Sequence, residues 1–159
     1  MPQGTVNIQL SRIINALSKK YGGPIFNPHV TLLGGFLGKE SDLLKKVKTL
    51  SNIIKPINII FYKFNYLDDF FRPFFLEVKF SDELKFARNI ACNKINYSDK
   101  NYLPHMSLAY GNYDLLTKLK MEEEVENTLD GFLAEKIFLS YNNEKDLHWE
   151  IIDYFDLMG

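Results

Sequence analysis

Two segments of this chain repeat one another around a histidine. Phe26-Asn27-Pro28-His29-Val30-Thr31-Leu32-Leu33-Gly34-Gly35 aligns with Tyr102-Leu103-Pro104-His105-Met106-Ser107-Leu108-Ala109-Tyr110-Gly111. Both carry an aromatic residue three before the histidine, proline just before it, a hydroxyl residue two after, leucine three after and glycine six after. A lone His-x-Thr or His-x-Ser is a common coincidence, but two copies with matching offsets are not. Each copy is followed by a turn and an amphipathic helical stretch, which predicts two similar halves facing each other across a pseudo-twofold axis.

Both segments read as short strands, and strand parity gives the repeat a chemical meaning. Side chains alternate between faces, so His29 and Thr31 project the same way, about 7 Å apart, as do His105 and Ser107. Val30, Leu32, Met106 and Leu108 then point into the core. Two such strands side by side present two imidazoles and two hydroxyls to one cleft. Imidazole titrates near neutrality, so one ring can be neutral while the other is protonated, supplying a general base and a general acid. The hydroxyls can donate to an oxyanion between them. A phosphodiester suits this set, with two non-bridging oxygens for the hydroxyls and attacking and leaving oxygens for the histidines.

The rest of the chain narrows the classes. Its 159 residues, 46% hydrophobic and without a linker-like tract, predict a single domain over 1–159 with a sizeable core. Nineteen basic and 20 acidic side chains leave a net charge of −1, which excludes a basic nucleic-acid-binding surface. The single cysteine, Cys92, excludes a disulfide framework and a cysteine-rich zinc site. No signal-peptide pattern opens the sequence, and no apolar run approaches the ~18 residues of a membrane span. A soluble, cytoplasmic protein is expected.

Helices are predicted over 7–20, from Ser41-Asp42 to about 50, from Ser81 onward, and near 113–127. Strands are predicted over 28–33, 57–67, 74–80, 104–110, about 132–141 and 147–157. The rhythm is not a strict βαβ alternation and favours an α+β fold with antiparallel sheets. The stripe Tyr62, Phe64 and Tyr66 reads as core or a base-stacking platform. Arg72 beside a turn is a candidate counter-charge for phosphate, Phe26 and Tyr102 are candidate cleft walls, and His148, outside the repeat, reads as a half-exposed strand residue.

The two motifs, Pro28-His29-Val30-Thr31-Leu32 and Pro104-His105-Met106-Ser107-Leu108-Ala109-Tyr110-Gly111, resemble those of the 2H phosphoesterase superfamily. The aromatic-x-Pro-His lead-in and the Tyr-Gly after the second motif are most similar to its cyclic phosphodiesterase branch. The resemblance implies a bilobal fold with two antiparallel sheets framing a central cleft and helices outside. It implies metal-independent hydrolysis of a ribose cyclic phosphodiester, such as a 2′,3′-cyclic nucleotide or ADP-ribose 1″,2″-cyclic phosphate, with no cofactor. His29 and His105 would carry the acid–base roles and Thr31 and Ser107 bind phosphate. Tyr110 matches a substrate-contacting tyrosine of the branch, although strand parity points it away from the cleft unless a bulge or turn intervenes. Family members usually begin with a strand, which here would be reduced to Pro2–Val6 or missing. Small cyclic phosphates or RNA ends are the implied partners of a monomer in RNA metabolism. The alternatives are a 2′,5′-oligonucleotide phosphodiesterase or RNA-ligase-like protein using the same site, or a non-catalytic nucleotide-binding module.

Overall fold

Leu10, Ile14 and Leu17 recur at helical spacing and are buried along one side of α1 (Gly4–Tyr21). That helix stops at Gly22, whose φ of 81° is left-handed and whose N–H donates to Ser18 O at 2.9 Å. The computed structural model describes residues 1–98, 101–125, 130–143 and 148–159, with 143 and 148 described by backbone alone. The elements after α1 are α2 (Glu40–Ser51), β1 (Ile57–Asn65), β2 (Phe74–Val78), α3 (Asp82–Ile95), β3 (His105–Ala109), α4 (Leu115–Glu124), β4 (Gly131–Ala134), β5 (Lys136–Asn143) and β6 (His148–Asp156). Helices α3 and α4 are capped by Ser81, which accepts from Leu84 N, and Asp114, which accepts from Thr117 N. Ser41 and Asp42 do not cap α2. They lie inside its first turn, where Glu40 and Asp42 meet the positive end of the helix dipole.

The fold is α+β with two antiparallel sheets. One has the order β3-β2-β1-β4, and the other is the hairpin β5-β6. The single strand expected over 132–141 is therefore two, divided at Glu135, where the chain leaves the first sheet for the second. Helix α1 packs on β3 and α4 on β2, while α2 packs on α3 and on the hairpin. The core joins Leu10 and Leu17 of α1, Leu50 of α2, Ile57 and Ile59 of β1, Leu76 of β2, Met106 and Leu108 of β3 and Met121 of α4.

Three expectations are corrected. Residues 28–33 form no strand; Val30 alone bridges to Met106. Carbonyls that a ladder would use accept from side chains instead: Thr31 O from the Tyr102 hydroxyl at 3.0 Å and Leu32 O from the buried Arg88 guanidinium at 2.5 Å. Pro2–Val6 is not a strand either, because α1 already begins at Gly4. In β1 the register slips between Phe61 and Phe64, so Tyr62 and Lys63 are exposed in succession and Phe64 returns to pack on Phe74, with ring centroids 5.3 Å apart. Tyr62 thus stands exposed while Phe64 and Tyr66 pack against the core, and the three rings form no common stacking platform.

Candidate active site

The Val30–Met106 bridge sets the two motif segments antiparallel. One step either side of that bridge, His29 lies opposite Ser107 and Thr31 opposite His105. Directly opposed residues of a regular antiparallel pair share a face, a pairing that would set the histidines on one diagonal and the hydroxyls on the other. Diagonal positions of such a pair lie about 7–8 Å apart, room for a tetrahedral phosphate between the rings.

Each imidazole is anchored the same way. His29 Nδ1 donates to Asn27 O, and His105 Nδ1 donates to Leu103 O, both at 2.7 Å. Each acceptor is two residues before its histidine, which is why the same proline-containing lead-in serves both. The Nδ1–H tautomer leaves Nε2 as the nitrogen free to take or give a proton.

The surroundings of the two rings differ. His29 is buried and lies under the indole of Trp149, with centroids 4.1 Å apart and an interplanar angle of 32°. Phe26 meets it edge-on at 6.2 Å. Burial lowers His29 from 6.5 to about 4; the Asn27 carbonyl opposes this, and the positive amino terminus and His105 add to it. His105 is half-buried and meets Phe75 edge-on at 5.4 Å. Its pKa is also lowered, first by burial and then by the charge of Arg72, against the Leu103 carbonyl and Asp69. Arg72 is thus close enough to be felt at His105, but its guanidinium is bound to Asp69 at 2.8 Å.

Ser107 is buried and donates to Phe71 O at 2.8 Å. Tyr110 does reach the cleft. The register of β3 slips opposite Phe74/Phe75, where Ala109 pairs with Phe74 and Ser107 with Phe75, leaving Leu108 as an extra residue. That bulge inverts the parity beyond it. Tyr110 consequently stacks on Phe26 at 3.8 Å and 13°, and its hydroxyl is hydrogen-bonded to Ser107. Burial pushes the Tyr110 phenol well above its ordinary value. Gly111 follows with φ +148°, and a Cβ there would stand 2.7 Å from the Tyr113 ring. The Tyr113 hydroxyl in turn donates to Tyr110 O at 2.9 Å.

Thr31 is half-buried and lines a largely apolar cavity of about 160 Å³ together with His29, Phe36, Phe138 and Trp149. Phe26 is a wall of the site as expected. Tyr102 instead pins the Thr31 carbonyl and packs under Arg88, whose guanidinium carbon is 4.0 Å from its ring centre. The side chain of His148 lies outside the described residues. Among the described residues, no three His, Cys, Asp or Glu side chains converge as a metal site. Sequence reasoning missed Trp149, Phe71 and Phe75, each brought to the site from another element without a local signal.

Two Nδ1-anchored histidines on facing antiparallel segments, each with a hydroxyl residue two positions on, make up the candidate site. Residues 2–158 match the family described as cyclic phosphodiesterase-like protein, and the chain belongs to that family. Among solved structures it is similar to TT0787 of Thermus thermophilus, with a TM-score of 0.58 and 16% identity over 99% of this chain and 96% of that one. That likeness supports the fold. No curated protein sequence matches significantly. Family membership carries a phosphoesterase function in general terms.

Proposed function

We propose that this protein hydrolyses a ribose cyclic phosphodiester, a 2′,3′-cyclic nucleotide or ADP-ribose 1″,2″-cyclic phosphate, to a phosphomonoester. The observation that carries this reading is the pair of Nδ1-anchored imidazoles on segments joined antiparallel by the Val30–Met106 bridge. One neutral Nε2 takes a proton from water as the water oxygen bonds to phosphorus in line with the leaving ribose oxygen. The other Nε2–H gives its proton to that oxygen as its bond to phosphorus breaks. Thr31 and Ser107 donate to the non-bridging oxygens, where charge accumulates. Ser107 does so by turning its hydrogen from the Phe71 carbonyl to the phosphate. In the free site the first proton goes to His105, because His29 is the more deeply buried ring. These groups supply proton transfer and charge stabilisation from side chains alone, so neither metal nor organic cofactor is required. The protein then acts as a cytosolic, monomeric single domain on a small cyclic phosphate or an RNA end.

The test is hydrolysis of 2′,3′-cyclic mononucleotides and ADP-ribose cyclic phosphate in EDTA, with product isomers resolved, by wild type, His29→Ala and His105→Ala. Each substitution is expected to lower kcat by about 10²–10⁴-fold. The rate should follow a bell-shaped pH profile. Absence of wild-type turnover on both substrates, or a rate rising monotonically from about pH 5 to 9, overturns the proposal.

A further inference from the structure

The two histidines are matched in sequence and in their Nδ1 anchors, yet their covers are unlike. We infer that Trp149, the only tryptophan in the chain, is a positioning residue for His29: its indole seals one face of that imidazole from water and thereby makes the two halves of the site chemically unequal. The inference rests on the acid–base reading of His29 and His105 and goes beyond it, since neither motif contains this residue.

Trp149 comes to the site from far along the chain. It stands in β6, 120 residues beyond His29, on a hairpin paired only with itself among the described strands and packed on α2. Nothing in the His29 motif requires an aromatic cover, and the second motif lacks the equivalent. Phe75 meets His105 edge-on at 5.4 Å from the neighbouring strand, whereas Trp149 lies over His29 at 4.1 Å with its plane tilted by 32°. A ring so covered cannot be hydrated on that face, and an imidazolium beneath it loses solvation that a neutral imidazole does not need.

The remaining neighbours do not restore the charge. The amino terminus and His105 are both cationic when protonated and oppose a proton on His29. Tyr110 and Phe26 are neutral. Lys136 of β5 lines the same cavity, but its ammonium faces Asp156, 3.6 Å away. Among the described residues no carboxylate offsets the cover at His29, while His105 has Asp69 in range. Trp149 therefore makes the surroundings of the two matched imidazoles unequal.

The experiment is an NMR titration of the His29 and His105 ring resonances from about pH 5 to 8 in wild type, Trp149→Ala and Trp149→Phe. Wild-type His29 is expected to stay neutral and flat across this range. In Trp149→Ala its midpoint should rise by roughly one pH unit or more and enter the range, while Trp149→Phe, which restores an aromatic cover, remains near wild type. His105 should move less than His29. If the alanine variant does not fold, Trp149→Gln, of similar reach but hydrated, is read the same way. A wild-type His29 titrating near its ordinary value, or one whose midpoint is the same in wild type and variant, overturns the inference. The readout is a proton equilibrium, so it stands apart from turnover: a protein inert on every cyclic phosphate with these titrations intact would refute the functional reading alone. If both hold, the acidic limb of the rate profile moves upward in Trp149→Ala.

Discussion

Replacing His29 by glutamine should remove about 2 kcal/mol of the acid sensitivity of folding between about pH 7 and 5. In the native protein His29 is lowered from 6.5 to about 4, chiefly by burial. Below pH 6.5 the unfolded chain binds a proton at this position while the folded chain refuses it until about pH 4. Stability is therefore complete above 6.5, falls as the pH drops through that window, and reaches a new plateau below about 4. A difference of about 2.5 pH units at about 1.4 kcal/mol each amounts to roughly 3 kcal/mol in all, of which about 2 kcal/mol is lost by pH 5. That is a sizeable share of the roughly 5–15 kcal/mol that holds a folded domain together. The assay is urea denaturation at about pH 7, 6 and 5 for wild type and His29→Gln. His105 and the carboxylates are common to both proteins, so the difference between their slopes isolates His29. The wild type should lose about 2 kcal/mol more than the variant over this range. Parallel pH dependences would refute the reasoning, because they would mean that His29 binds its proton equally well folded and unfolded.

Three further outcomes follow from the geometry. Gly111→Ala places a Cβ 2.7 Å from the Tyr113 ring at φ +148°, so thermal unfolding should show a loss of about 1–3 kcal/mol, together with reduced turnover as Tyr110 shifts. Tyr102→Phe removes the donor to the Thr31 carbonyl; it should cost about 1 kcal/mol in urea denaturation and raise KM more than it lowers kcat. Asp114→Ala removes the cap of α4, and should cost about 1 kcal/mol of stability in urea denaturation.

Much of this site is legible in the sequence because its logic is local. The histidine-to-hydroxyl spacing acts within a few residues, and the start of a helix at Ser81 within one turn. Where the reading failed, distant partners had intervened. Segment 28–33 has the composition of a strand, but Tyr102 and Arg88 occupy carbonyls that a ladder would need. The aromatic alternation of β1 is interrupted by a bulge that no residue between Phe61 and Phe64 announces. For Tyr110 simple parity pointed outward, and the extra residue at Leu108 turned it inward.

By itself, the sequence determined that the two histidines would be anchored alike, because each imidazole bonds a carbonyl only two residues before it in a repeated lead-in. Tertiary structure decided how unequal their surroundings became. Trp149 reaches His29 only through the packing of the β5–β6 hairpin, and Asp69 and Arg72 reach His105 only through the turn before β2. Desolvation and charge act across space, between residues far apart along the chain, and so the proton affinities of two near-identical motifs diverge only once the chain has folded.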